Sequence, residues 1–313
     1  MLMGHELTEK QQNSDLMLKA ARASLLVALC LIGAKTWAWM ASGSVALLGS
    51  LVDSIMDLLA STVNFVAVRF AIAPADEDHR FGHGKAEAIA GLLQAVVVTL
   101  SALLLMAEAV RHLMTPEPLR NTPLGIAVIV FSIGLTFLLV AYQRHVVRKT
   151  NSVAISADSL HYAGDLLMNV AVLVALALGG YLGWRYADPL FGLGIGLYLL
   201  YNVYLIARNS INILMDREME EEEREKIIRI VQAHDEVKGL HDMKTRRTGL
   251  EVFIQFHIEL ESDISLKEAH NICDEVEAEL KEEFPMAEII IHADPEDAVE
   301  EENVQFTEPE VAT

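Results

Sequence analysis

Two pairs of ionisable residues sit inside stretches that otherwise read as lipid-soluble. Asp53 and Asp57 lie in one apolar run, and His161 and Asp165 lie in another. An aspartate at the middle of a membrane helix costs about 2.5–3.5 kcal/mol on insertion scales, and more on an isolated helix. Residues that bear such a cost face polar cavities and mark ion or proton paths. Asp53 stands nine residues beyond Ser44, roughly 13 Å along a helix and close to the midplane. Each pair is spaced i,i+4, which presents two ligands on one helix face. If the faces meet, one imidazole and three carboxylates can close around a tetrahedral Zn²⁺. Interhelical hydrogen bonding accounts for single polar residues in bundles, but two matched pairs on separate spans point to a metal. Imidazole with carboxylates favours Zn²⁺ and Cd²⁺ over Mn²⁺, and Fe²⁺ suits the same donors.

Two further groups of ligand-type residues lie outside the apolar runs. Asp76, His79 and His83 fall within twelve residues running from Pro74 to Lys85. They offer ligands for a second, more exposed cation, although a polar turn would read the same way. His241, His257, His270, His292 and Asp294 form a third collection near the C-terminal end. His292 and Asp294 are two apart in a strand pattern and share a face. Sequence alone does not bring the five together. Asp158 is expected to cap the helix that carries His161. Lys35 and Glu108, near span ends, are expected to be interfacial.

The elements that must position these groups follow from hydropathy. Six apolar stretches, near 16–40, 45–70, 88–112, 122–145, 153–180 and 187–213, are long enough for a helix to cross a bilayer, which takes roughly 20 residues. No small-residue cleavage site follows the first before Trp37 and Trp39, so it is expected to be a span rather than a signal peptide. Eleven Lys and Arg fall in the segments on the N-terminal side, against Arg111, Arg120 and Arg185 opposite. That asymmetry puts both termini in the cytoplasm.

After Asp216 the pattern changes. Val252, Ile254, Phe256, Ile258 and Leu260 alternate with Gln255, His257 and Glu259, the signature of a half-buried strand. The expected fold is a membrane all-α six-helix bundle over 1–215, with a C-terminal cytoplasmic α+β domain of order α-β-β-α-β over 216–296. Residues 297–313 read as a disordered acidic tail. Residues 1–215 carry no net charge, so the formal −20 resides in the last 98 residues. Such acidity excludes a nucleic-acid role, which needs a basic surface. Cys30 and Cys273 are too few for a disulfide framework or a thiolate zinc site.

Four stretches taken in order resemble the cation diffusion facilitator family, in particular its bacterial zinc and ferrous-iron efflux transporters. They are Leu51–Asp57, His79–Glu87, Ala157–Asp165 and Ile290–Pro295. The resemblance reaches to about residue 296. It implies a homodimer in the bacterial inner (plasma) membrane, with metallochaperone-like cytoplasmic domains, exporting metal from the cytosol against protons by alternating access. Position by position it implies a transport site at Asp53, Asp57, His161 and Asp165, and a loop site at Asp76, His79 and His83. His241, His257, His270, His292 and Asp294 would form a two-metal site at the interface of the soluble domains. It also implies a charge interlock of Lys85 with Asp216, and a hydrophobic gate at Leu160. Family members often carry Gln where Ala293 stands; the effect depends on whether that Gln would coordinate through its main chain or its side chain.

Metal ligands must be deprotonated, so metal binding releases protons and protons expel metal. An imidazole, titrating near neutrality, makes His161 the natural exchanger. Zinc is thus expected as cargo and as regulator, with protons as the counter-ion. Metal bound between soluble domains of like charge would offset their repulsion. An intramembrane metalloenzyme is disfavoured, because no His-Glu-x-x-His helix and no Gly-x-Ser-x-Gly turn is present. A metal sensor would leave the midplane pairs without a purpose, and a channel would show flux without a proton gradient.

Overall fold

The computed structural model describes residues 2–43, 45–114, 123–182 and 186–298. Six long helices come first: α1 (Leu2–Ser42), α2 (Val45–Ala71), α3 (Lys85–Met114), α4 (Pro123–Thr150), α5 (Val153–Leu182) and α6 (Ala187–Leu214). All six contain stretches long and apolar enough to cross a membrane. Their outward faces keep large apolar side chains exposed, among them Met56, Leu104 and Leu138, which suits lipid rather than water as the surrounding solvent. The chain divides into two compact units, one from Gln11 to Ile211 and the other built on the residues from Asn212 onward.

Within the first unit α5 is the hub, packed against α4, α3 and α2. Local chemistry sets where it starts. Asn151 adopts a left-handed backbone, φ 50°, and its amide bonds to the Val147 carbonyl at 2.8 Å, so α4 ends as helices with an Asn or Gly in that conformation do. Ser152 Oγ then accepts the Ile155 amide at 3.2 Å, an N-cap. Glu87, buried at the start of α3, accepts the Ala154 amide at 3.2 Å. Asp158 is therefore not the cap. It lies inside α5, fully buried, where Oδ2 accepts Ser24 Oγ of α1 at 2.6 Å and Gln143 Nε2 of α4 at 2.7 Å. The cap position was already filled by Ser152, which left the aspartate free to tie three helices together.

Lys35 is likewise not interfacial. It is buried, and Nζ donates to the Ser50 carbonyl at 3.0 Å and to Ser54 Oγ at 2.7 Å. Acceptors on α2 hold the ammonium inside the bundle, so its stem has no need to reach the membrane surface. Glu108 is exposed and meets Arg111 at 2.6 Å and His112 at 3.2 Å. Helix α6 approaches α3 through small residues: a Cβ on Gly91 would lie 2.8 Å from Ser210 Oγ, and one on Gly196 would collide with Met106. Such positions let membrane helices pack closely.

The second unit comprises α7 (Glu221–Gln232), β1 (Gly239–Thr248), β2 (Glu251–Leu260), α8 (Leu266–Glu283) and β3 (Ala287–Pro295), followed by a short 3₁₀ turn over Glu296–Ala298. The turn takes in the first two residues of the expected tail; the rest, from 299 on, lies outside the described residues. The sheet order is β1-β2-β3, antiparallel then parallel. Val252, Ile254, Phe256, Ile258 and Leu260 are all buried, in one core with Ile227 and Val231 of α7 and Val276 and Leu280 of α8. That side of the sheet is covered by helices, and the alternate residues face away from it. Ser265 and Glu268 form a reciprocal capping box at the start of α8.

Candidate metal centres

α2 and α5 bring Asp57, His161 and Asp165 together, with one ligand atom from each within 4.8 Å of the others. His161 Nε2 lies 3.1 Å from Asp57 Oδ1 and 3.9 Å from Asp165 Oδ2. The imidazole is largely buried, whereas the Asp165 side chain is 40% exposed. Three protein ligands with an open fourth position suit an ion that must be released; closed four-ligand sites hold structural zinc. Asp53, one turn from Asp57, is exposed and stands outside this group. Leu160, beside the imidazole, is buried against Ala95, Val98 and Ala102 of α3 and Leu199 and Val203 of α6. Behind it Tyr162 Oη and Ser61 Oγ are 2.8 Å apart, and with the Ser24–Asp158–Gln143 network they form a polar layer that spacing along the chain could not reveal.

Asp76, His79 and His83 also come together in the α2–α3 loop. Asp76 Oδ1 accepts the His79 amide at 2.7 Å and the Asp78 amide at 3.0 Å, while Oδ2 lies 3.2 Å from His83 Nε2. The His79 amide, followed by that of Asp78, holds the Asp76 carboxyl below its ordinary range. His83 is buried, with its ring edge-on to Phe70 at 4.5 Å between centroids. The loop thus presents one fixed imidazole and one fixed carboxylate, with His79 exposed beside them.

On the open face of the sheet, register does the assembling. His241 of β1 opposes His257 of β2, which opposes His292 of β3. Asp294 Oδ2 lies 2.8 Å from His257 Nδ1 and 3.4 Å from His241 Nε2, and its other oxygen is 3.1 Å from His292 Nε2. His241, His257 and Asp294 meet the spacing of a metal site, with His292 at its exposed margin. His270 is not gathered; it stands exposed on α8, 3.6 Å from Asp274. Two carboxylates that the spacing did not single out complete the surroundings. Glu259 Oε1 is 3.0 Å from His241 Nδ1, the second-neighbour contact that orients metal-binding imidazoles. Asp242 Oδ2 is 3.8 Å from His257 Nε2. Lys244, 2.9 Å away, holds the Asp242 carboxyl below its ordinary range. Ala293 faces the helices with Ile289 and Ile291, so a residue at that position reaches the open face only through its main chain. Asp216 pairs with Arg246 at 3.2 Å.

Both parts of the chain match known families. Residues 21–215 match the family described as cation efflux transmembrane domain, and residues 219–296 match cation efflux protein, cytoplasmic domain. The cation-efflux pump FieF of Klebsiella pneumoniae is 45% identical over 289 residues, 92% of this chain and 96% of that protein. FieF of Yersinia pestis is 48% identical over 276 residues, 88% and 92% of the two chains. A solved structure of CzrB is 37% identical over 25% of this chain and 96% of its own, with a TM-score of 0.24. Six apolar helices followed by a small three-stranded domain, matched over both parts by efflux proteins, make this chain a multi-pass membrane transporter of the cation efflux family, the cation diffusion facilitators.

Proposed function

We propose that the chain exports Zn²⁺ from the bacterial cytosol in exchange for protons, by alternating access around Asp57, His161 and Asp165. The carrying observation is that one imidazole and two carboxylates lie within 4.8 Å of one another on helices otherwise built for lipid. Asp53 would supply the fourth ligand when its side chain turns toward His161, closing a tetrahedral site. Cd²⁺ shares the donor preference, and Fe²⁺ is a weaker fit. The name of the relatives, cation-efflux pump, supports export without naming the ion.

The contact at 3.1 Å between His161 Nε2 and Asp57 Oδ1 supports proton coupling. Two lone pairs approach that closely only with a proton between them. A metal bound to both atoms displaces that proton, so loading expels at least one, and protonation from the far side expels the metal. Rocking of helices about a fixed midplane site would alternate its access. The distribution of Lys and Arg supports cytoplasmic termini and an inner-membrane location. In this reading the chain is a homodimer, and zinc on the sheet face draws the acidic soluble domains together as a regulatory signal. His270 would reach that site from the second subunit.

Simultaneous measurement of zinc movement and internal pH in proteoliposomes, for the intact chain and for Asp57→Ala, tests the reading. Opposed zinc and proton fluxes, both lost in the variant, are expected. Zinc flux without proton counterflow would make the chain a channel or uniporter, and absence of zinc flux would overturn zinc as the cargo.

A further inference from the structure

Between α4, α5 and α6 runs a groove of about 740 Å³ that none of the metal centres uses. Its floor is apolar: Phe137, Val140, Ala163, Leu167 and Ile195. Gly194 lies along it, and a Cβ there would meet nothing within 4 Å. At one end stand Arg144, His145 and Arg148 of α4, all exposed. Arg111, Arg246 and Arg247 are each held by a carboxylate. Arg144 and Arg148 have no carboxylate at ion-pair distance among the described residues. The C-terminal dipole of α4 accounts for a cation at Arg148 in the last turn, but not for Arg144 one turn earlier, nor for the apolar trough beneath both.

We propose that this groove binds an anionic phospholipid, with an acyl chain along its floor and the phosphate between Arg144 and Arg148. Length favours a lipid. Phe137 to Arg148 covers roughly 16 Å of helix, close to the depth of one leaflet, which is half of a hydrocarbon core about 30 Å thick. Charge favours an anionic one: two guanidiniums spaced i,i+4 can share a phosphate through parallel N–H donors, and basic pockets between membrane helices hold such headgroups. The same charges repel a divalent cation, so the groove is a poor entry route for metal. In the orientation proposed above, the lipid belongs to the cytoplasmic leaflet. It would fill the gap that α6 leaves beside α4 and α5, and so influence how freely α6 moves against them.

Native mass spectrometry of the intact protein in mixed micelles tests this, with dioleoyl phosphatidylglycerol and dioleoyl phosphatidylcholine as probes. Phosphatidylglycerol is expected to be retained preferentially. R144Q/R148Q should weaken its binding roughly 30-fold, about fivefold per arginine, while R144K/R148K keeps most of it. Gly194→Phe, which fills the floor, should lower retention of the lipid without altering the charges; if that variant fails to fold, the arginine pair still decides. Equal retention of the two lipids, or unchanged phosphatidylglycerol binding in R144Q/R148Q, would overturn the proposal. Displacement of the lipid by inorganic phosphate would also overturn it, making the groove a free-anion site, and so would displacement by Zn²⁺, which would make it a metal vestibule.

Discussion

Zinc bound on the open face of the soluble sheet should change how the sheet unfolds, and the size of the change follows from where the ligands sit. His241, His257 and Asp294 come from all three strands, with His257 in the central one. A metal joined to them connects β1, β2 and β3 and must dissociate before the strands separate. At free zinc 100 times the dissociation constant, binding adds about 2.7 kcal/mol to the stability of the bound form. Amides of β2 that exchange only when the sheet opens should therefore exchange about 100-fold more slowly. Hydrogen exchange on the full-length protein, with and without zinc, reads this directly. His257→Ala removes the central ligand and leaves the buried face of β2 intact, so the zinc-dependent slowing should vanish while the protein stays folded. His270→Ala should weaken the slowing less than His257→Ala does, because within one subunit His270 stands apart from the cluster on α8 and would reach the site only from a second subunit. Slowing that survives in His257→Ala, or zinc that leaves β2 exchange unchanged in the native chain, would refute the assignment of this face as a metal site.

Other expectations concern the membrane unit and its loop. Gln143→Leu removes a donor that serves both Ser24 Oγ at 2.9 Å and Asp158 Oδ2, so it should cost about 1–2 kcal/mol, whereas Ser24→Ala should fall nearer the average of about 0.6 kcal/mol for hydrogen bonds between membrane helices; thermal unfolding in detergent would rank the two. Gly91→Ala forces a methyl against Ser210 and Val153 and should destabilise by about 1–3 kcal/mol, seen as a lower unfolding midpoint. The Asp76 carboxyl, held low first by the His79 amide, favours the ordered loop above the ordinary aspartate value, about 3.9, and loses that effect only as pH falls through its lower folded value. Asp76→Asn should abolish that acid transition, which carboxyl-selective infrared titration can follow.

Hydropathy exposed the six spans because the apolar runs are long, and β2 because five apolar residues alternate there without a break. Ligand types were visible too, since aspartate and histidine stand out in lipid-soluble sequence. What periodicity could not supply was register between distant segments. Glu259 and Asp242 became part of the sheet-face surroundings only once β1, β2 and β3 were aligned, and His270 fell outside them for the same reason. Asp158 and Lys35 were misplaced because their partners, Ser24 and Gln143 for one and Ser50 and Ser54 for the other, are contributed by different helices. Burial of a polar group is decided by what packs against it, which lies far away along the chain.

The irregularity in β1 has a consequence for how this site tolerates genetic change. Between His241 and Lys244 the strand carries one residue more than the stretch of β2 it opposes, from His257 to Gln255, and Asp242 there has φ 46°. A bulge of this kind shifts the alternation of side chains on one strand by one place. Loss of the single codon for Asp242 would restore regular pairing and still leave His241 opposite His257. A one-codon insertion or deletion between Gln255 and His257 would instead turn one end of β2 over, sending its imidazole toward the helices. The sheet therefore has one point at which length variation is absorbed and, a few residues away on its neighbour, one at which it is not.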